Sequence, residues 1–183
     1  MRSLKGQLVV ASPLLGDPNF ERTVVFMVEH GDEGALGLVL NRPSEVEVDR
    51  PLADWRALTT DPGVIFIGGP VSKGAIIALA RADGAGPGEA WQRISGSIGV
   101  LDLTAEASTV ATAVDGLRIF TGYSGWGPRQ LEAEMTQGAW WAVGADATDP
   151  FTAEPDRLWA DVVRRQPPPL CRYALYPPDP TVN

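Results

Sequence analysis

Short apolar segments that end at Gly, Pro, Asp or Asn follow one another through the first half of the 183-residue sequence. Segments of this kind, rich in Val, Ile, Leu and Phe, are typical of β-strands. We predict strands over 7–11, 23–30, 35–41, 64–67 and 75–80. The last run is too short to distinguish a strand from a buried helix, and we favour the strand. The polar loop 31–34, with glycine at both ends, predicts an antiparallel hairpin between the second and third strands.

Signals of helices enter in the second half. Thr104 follows a predicted strand over 100–103 and suits the N-cap of a helix over 105–114. Pro128 suits the first position of a second helix, because proline lacks the N–H that an internal helical position needs. Gly138 suits the end of that helix.

The last predicted helix begins at Pro155, and one of its faces carries an apolar stripe that should dock on the sheet: Leu158, Trp159, Val162 and Val163. Further strands are predicted over 117–123 and 139–143. Strands grouped first and helices grouped later predict an α+β fold with a mixed, largely antiparallel sheet. We predict one domain over 1–166 and a proline-rich tail over 167–183 that is extended or disordered.

Composition bears on the partners. The sequence has 23 acidic and 15 basic residues, a formal net charge of -8, and this charge repels phosphate backbones, so we do not expect nucleic acid as a partner. Cys171 is the single cysteine, which excludes an intrachain disulfide and fits a reducing cytoplasm. No apolar run approaches the about 20 residues that cross a bilayer. We expect a soluble, cytoplasmic protein with neither export signal nor membrane partner.

His30 is the single histidine, so no metal site with two imidazoles is available. One role for His30 is the general base of a hydrolase or transferase. The other role, which we favour, is that of a hydrogen-bonded histidine in the hairpin. No other cluster suggests a metal, a cofactor or a catalytic pair, and we expect none of these.

The glycine-rich segment 122–127 resembles the nucleophile elbow of hydrolases, with Ser124 as the nucleophile. Trp126 occupies the position where the elbow needs its second glycine, so we do not assign Ser124 a catalytic role. An anion site at a helix that follows Gly127 is one interpretation of the segment. We favour another, in which the glycines form a bend that lets Tyr123 and Trp126 pack on the sheet.

Polar residues close two of the predicted strands, where α+β proteins often form a cleft. One strand ends in Asn41-Arg42-Pro43 and the other in Gly68-Gly69-Pro70. Arg42 either binds a carboxylate or phosphate or, as we favour, pairs with Glu29, Asp17 or Glu45. The candidate binding residues are therefore His30, Asn41, Arg42, Gly68, Gly69, Pro70, Tyr123, Trp126 and Gly127.

Several of these motifs, taken in order, resemble a bacterial protein family, AlgH/YqgE: MVEHG at 27–31, GLVLNRP at 37–43, IGGPV at 67–71, GYSGWG at 122–127 and QLE at 130–132. The resemblance extends over roughly residues 5–165. It implies an α+β domain whose sheet curls into a barrel-like core with flanking helices. It implies no settled activity, although one namesake has been described as a regulator of alginate genes.

Three functions are compatible with these observations. We favour a soluble binding or regulatory module whose partner is an unidentified small molecule or protein. The alternative is a hydrolase or transferase that uses His30 as its base. A DNA-binding regulator ranks last, because the acidic sequence has neither a basic helix nor a helix-turn-helix signature. The sequence makes no prediction about the oligomeric state.

Overall fold

In the computed structural model, which describes residues 3–49 and 52–176, the described chain forms ten strands and three α-helices. The strands are β1 Leu8–Ala11, β2 Val24–Gly31, β3 Gly34–Val39, β4 Pro43–Glu47, β5 Val64–Ile67, β6 Val71–Ala82, β7 Trp91–Ser95, β8 Ile98–Leu101, β9 Val114–Trp126 and β10 Trp140–Val143. The helices are α1 Ala107–Val110, α2 Gln130–Thr136 and α3 Pro155–Arg164. Short 3-10 helices cover Ala53–Leu58, Gly88–Ala90, Asp149–Phe151 and Leu170–Leu175.

The strands lie in one sheet in the order β10-β1-β2-β3-β9-β6-β8-β7, and β4 and β5 branch from it at β9. All pairs are antiparallel except β5 with β9. The sheet curls, and this brings Gly6, just before β1, into contact with Ser95 at the end of β7. A Cβ on Gly6 would lie 2.3 Å from the Cβ of Ser95. The α+β prediction, with a largely antiparallel and curled sheet, is confirmed.

The local patterns located most of the strands. The predicted hairpin is confirmed, since Gly31 pairs with Gly34 and His30 with Ala35. The segment 75–80 is part of β6 and is therefore a strand. The last helix begins at Pro155 as predicted, and its apolar stripe is buried in the core.

The predicted helix over 105–114 is wrong in its length. Only Ala107–Val110 is helical, because β9 already begins at Val114, which pairs with Ala82 of β6. Thr104 does not cap this helix. Its backbone N–H and its hydroxyl both donate to the Asp102 carboxylate, at 2.8 and 2.7 Å.

Two further predictions need correction, and two strands were not predicted. Helix α2 begins at Gln130 and not at Pro128, since β9 continues to Trp126 and Arg129 adopts a left-handed conformation (φ 59°). The edge strands β4 and β7 had no clear apolar signal and were missed. The tail is not extended over Leu170–Leu175, where a 3-10 helix packs Tyr173 against the core. The prolines at 177, 178 and 180 lie outside the described residues.

The core has three parts. The largest lies between the sheet and α3, and it includes Phe26, Phe66, Phe120, Trp159 and Val162. The second lies on the other side of β6 and β9, around Trp55 and Leu117. The third packs α2 on β1, β2 and β3, and is built from Val9, Val25, Met27, Val39, Trp126, Leu131 and Trp140.

The charged side chain of Arg118 lies within this core. Arg118 on β9 is 1% exposed, and its guanidinium stacks on the ring of Phe66 at 4.1 Å. Its Nη2 donates to the Asp61 carbonyl at 2.7 Å, whereas Nε and Nη1 have no hydrogen-bond partner among the described residues. Burial lowers the pKa of Arg118 to about 10, against the opposing effect of Asp61. A buried cation with incomplete hydrogen bonding is costly to fold.

Two glycines set the distance between β5 and β9. The Gly68 N–H donates to the Thr121 carbonyl at 2.9 Å, and the Gly68 carbonyl accepts from the Val39 N–H at 2.9 Å. A Cβ on Gly68 would lie 2.4 Å from the carbonyl oxygen of Gly122, and one on Gly69 would lie 2.3 Å from the backbone of Tyr123. These contacts are with backbone atoms, which cannot move aside, so both positions need glycine.

We predict that Gly69→Ala lowers the free energy of unfolding by about 2 kcal/mol or more, because the new methyl group overlaps the β9 backbone. Urea unfolding followed by circular dichroism measures this change. Gly74→Ala is the matched control, since its Cβ would meet nothing within 4 Å. Equal stability of the two variants would contradict the steric argument.

For the buried cation, we predict that Arg118→Met leaves the free energy of unfolding unchanged or raises it by up to ~3 kcal/mol, since methionine fills similar space without a charge. Arg118→Ala should lower it by about 2–4 kcal/mol, because the stack on Phe66 is replaced by a void. Denaturant unfolding of both variants tests this. A methionine variant as unstable as the alanine variant would show that the charge itself is stabilising.

Candidate functional site

The ends of β3 and β5 lie side by side and bring two of the predicted polar segments together. The Ile67 N–H donates to the Arg42 carbonyl at 2.8 Å, and the Val39 N–H donates to the Gly68 carbonyl. Because of this pairing, Arg42 lies beside the Gly69-Pro70 segment. The two strand ends therefore do form one cleft.

This cleft, which we call the Arg42 cleft, has a volume of about 280 Å³. Its lining residues are Pro18, Asn19, Val39, Arg42, Ile67, Gly69, Pro70 and Lys73. The apolar part of the wall comes from Val39 and Ile67, and the positive charge comes from Arg42 and Lys73. No acidic side chain is among the described residues that line the cleft.

Lys73 reaches the cleft because β6 bulges. Val71 pairs with Tyr123 and Ile76 with Thr121, so the segment between Val71 and Ile76 is longer than the stretch of β9 opposite it. Ser72 in this bulge has a positive φ of 47°, which is uncommon for a residue with a side chain. The Thr121 hydroxyl donates to the Lys73 carbonyl and anchors the bulge. Bulges of this type redirect side chains and are frequent beside functional sites.

Arg42 is half-buried, and its Nη2 donates to the Glu21 carbonyl. Burial lowers the pKa of Arg42 below its ordinary value, while the carboxylates of Glu21 and Asp156 act in the opposite direction. The ion pair that we favoured, with Glu29, Asp17 or Glu45, is not formed. Within the described chain, neither Arg42 nor Lys73 has a carboxylate within ion-pair distance.

Two other predicted residues have structural roles near the cleft. The Asn41 side chain is buried, accepts the Val24 N–H at 2.9 Å and donates to the Arg22 carbonyl at 2.8 Å. It therefore fixes the loop that precedes β2. Gly68 is buried and serves the strand contact described above.

Residues 122–126 form the end of β9, so the predicted glycine-rich bend is wrong. Ser124 is fully buried, and its hydroxyl donates to the Gly68 carbonyl at 3.1 Å. Tyr123 packs against the main core, and the Gly127 N–H donates to the Gln130 side chain at 3.0 Å. The packing role that we favoured for Tyr123 and Trp126 is confirmed, since both contact the core.

His30 is a hydrogen-bonded histidine, as favoured from the sequence. Its side chain is 3% exposed, with Nε2 at 2.9 Å from Oε1 of Glu132 on α2. The Leu4 N–H donates to Nδ1 at 3.1 Å, so Nδ1 carries no proton and Nε2–H donates to Glu132. Both ring nitrogens are therefore engaged. This arrangement ties α2 and the segment before β1 to the hairpin.

The candidate residues thus fall into separate groups. Arg42, Gly69 and Pro70 line the Arg42 cleft, whereas His30 and Trp126 border an open depression of about 510 Å³ at the β2–β3 turn. Lys73 and Ile67 also line the cleft and were not among the predicted site residues. The sequence offered one sign of the role of Lys73, since this residue follows Pro70, a predicted site residue, by three positions. No helix among the residues described here has the length and apolar character to span a membrane.

The chain is similar to known proteins both in sequence and in structure. A family model described as AlgH-like matches residues 8–170. A UPF0301 protein of Streptomyces coelicolor is 49% identical over 185 residues, which cover 99% of this chain and 96% of the relative. A UPF0301 protein of Thermobifida fusca is 44% identical over 190 residues, with 99% and 96% covered.

Two solved structures share the fold. The crystal structure of a Corynebacterium diphtheriae protein matches with a TM-score of 0.88 and 28% identity, covering 95% of this chain and 92% of that one. The solution structure of the AlgH protein from Pseudomonas aeruginosa matches with a TM-score of 0.69 and 30% identity, covering 89% and 88%. The curled sheet is therefore common to these proteins.

We predict that His30→Ala lowers the free energy of unfolding by about 1–3 kcal/mol, because the Leu4 N–H and the Glu132 carboxylate both lose their partner. Glu132→Gln is the conservative comparison and should cost less, since its amide oxygen still accepts the Nε2–H. Urea unfolding of the three proteins measures the difference. Unchanged stability in His30→Ala would remove the structural role assigned to this histidine.

Proposed function

The chain belongs to the AlgH-like family. We propose that it is a binding module whose Arg42 cleft takes a small anionic ligand. The names of the relatives state no reaction. What supports the proposal is the chemistry of the cleft.

The proposal rests on two cations of the cleft, Arg42 and Lys73, which form no ion pair within the described chain. The net charge is -8, so carboxylates outnumber cations over the protein. Several arginines of the described chain form ion pairs: Arg56, Arg81, Arg157, Arg164 and Arg165. Arg42 and Lys73 lie in none of these pairs and border the same cleft. Two cations without a carboxylate partner beside a concave surface favour an anionic ligand.

The walls of the cleft narrow the choice of ligand. Val39 and Ile67 offer apolar surface, and Ile67 is 44% exposed, which is high for an isoleucine on a strand. Apolar walls exclude water, and a charge-assisted hydrogen bond is stronger in such a place than in open solvent. The volume of about 280 Å³ lies at the small end of the range for ligand sites. A carboxylate or phosphate on a short apolar body matches these properties.

The hydrolase alternative has weaker support. A general base needs a ring nitrogen that can reach the substrate, and both nitrogens of His30 are engaged with Leu4 and Glu132. The DNA-binding alternative is opposed by the negative charge of the whole chain. We also propose a cytoplasmic location, supported by the single cysteine and by the lack of a membrane-spanning helix in the described part of the chain.

A thermal-shift titration with hexanoate, hexyl phosphate and 1-hexanol tests the proposal. We expect the two anions to raise the melting temperature and the neutral alcohol to leave it unchanged. Arg42→Ala and Lys73→Ala should each weaken anion binding at least about tenfold, because each removes a charged hydrogen-bond donor.

Matched variants control for the loss of a positive charge. Lys5→Ala is the control for Lys73→Ala, and Arg164→Ala is the control for Arg42→Ala, since neither Lys5 nor Arg164 lines the cleft. Both controls should bind the anions as the unmodified protein does. The proposal fails if neither anion shifts the melting temperature, or if all four variants bind them equally.

A further inference from the structure

A second cavity, of about 360 Å³, lies between α2 and the loop that follows β1. Three aromatic rings contribute to its wall: Phe20, Trp126 and Trp140. Its charged lining residues are Asp17 and Glu134, and no cationic side chain is among the described residues that line it. We call it the Trp126 cavity. Its charge is opposite to that of the Arg42 cleft.

The three rings pack against one another in one cluster at the cavity and differ in orientation. Phe20 and Trp126 are stacked with centroids 6.2 Å apart. Phe20 meets Trp140 edge to face at 5.4 Å, and Trp126 meets Trp140 edge to face at 5.8 Å. Trp126 and Trp140 are 6% and 2% exposed, so each indole borders the cavity with only a small part of its surface. The faces carry the negative end of the ring quadrupole and attract cations.

Glu134 is held at the edge of this cluster by hydrogen bonds from the rings themselves. Its Oε2 accepts the indole N–H of Trp126 at 3.0 Å and that of Trp140 at 2.8 Å. Its Oε1 accepts a bond from the Gln130 amide at 2.9 Å. All three donors are neutral, so they fix the carboxylate without cancelling its charge.

Asp17 adds a second negative charge to the wall of the cavity. Its Oδ1 accepts the backbone N–H and the side-chain amide of Asn19, each at 2.9 Å. Neither Asp17 nor Glu134 forms an ion pair with another described residue. Two fixed carboxylates beside aromatic rings, with no cationic side chain among the described residues of the wall, leave a cavity suited to a positively charged guest.

We propose that the Trp126 cavity binds a small organic ammonium ion whose nitrogen carries alkyl groups. The alkyl groups would contact the aromatic wall, and the charge would be stabilised by the rings and by Glu134 and Asp17. A divalent metal ion fits the cavity poorly, because hard cations need six or more oxygen ligands and a large part of this wall is apolar. The site is independent of the Arg42 cleft, so either proposal can fail alone.

Choline and 3,3-dimethyl-1-butanol form a matched pair of probes, because the alcohol has the same shape without the charge. Two-dimensional NMR of the indole N–H groups follows Trp126 and Trp140 directly during titration. We expect choline to shift both signals in a saturable manner and the neutral alcohol to shift neither. Equal effects of the two probes, or no effect of choline, would overturn the proposal.

Glu134→Gln tests the role of the charge. A glutamine oxygen in the place of Oε2 still accepts both indole N–H groups. The Gln130 amide can rotate to accept the new N–H, although it then gives up the bond that its oxygen accepts from the Gly127 N–H. We expect choline to bind this variant at least about tenfold more weakly. If Glu134→Gln does not fold, as judged by its NMR spectrum, Asp17→Asn takes its place with the same expectation.

Glu132→Gln is the matched control, since Glu132 lies on the same helix and does not line the cavity. It should bind choline as the unmodified protein does. Choline affinity that is equal in Glu134→Gln and Glu132→Gln would exclude the proposed site. Vesicles of phosphatidylcholine present the same headgroup on a lipid, and indole shifts caused only by the vesicles would also contradict a small-molecule site.

Discussion

Strand β9 holds the molecule together, because it is hydrogen-bonded to β3, β5 and β6 and so joins the two halves of the sheet. The pairing with β6 covers most of its length and fixes which side chains face each core. Leu117 and Ile119 enter one core, while Phe120 enters the other. This alternation follows from the period of two along a strand. Arg118 is buried on β9 because the same alternation leaves it no route to solvent.

Both cavities arise where the regular sheet gives way to loops. The Arg42 cleft lies at the ends of β3 and β5, and the Trp126 cavity lies where α2 covers the sheet. The turn over 17–20 separates them: Pro18 and Asn19 line the cleft, and Asp17 and Phe20 line the cavity. A single turn therefore borders two sites of opposite charge. The Arg42 cleft is lined by cations, and the Trp126 cavity is lined by carboxylates.

Sequence patterns located the elements that are stabilised locally, and failed where a distant strand decided the outcome. The hairpin and the last helix were predictable because their turn residues and apolar periods are local. The helix over 105–114 was overestimated, since β6 draws the chain at Val114 into a ladder. Arg42 and Gly69 were found as strand-end residues. The position of Lys73 was not, because a register shift between β6 and β9 creates the bulge, and register is not encoded by nearby residues.

Gly68 and Gly69 have a consequence for how proteins of this architecture can diverge. The backbone of β9 leaves no room for a Cβ at either position, so the floor of the Arg42 cleft keeps one shape as long as the fold is kept. The rim is free to vary, because Lys73 and Ile67 are exposed and can be replaced without disturbing the core. Such a division between a sterically fixed base and an adjustable border lets selection change ligand preference without a loss of foldability.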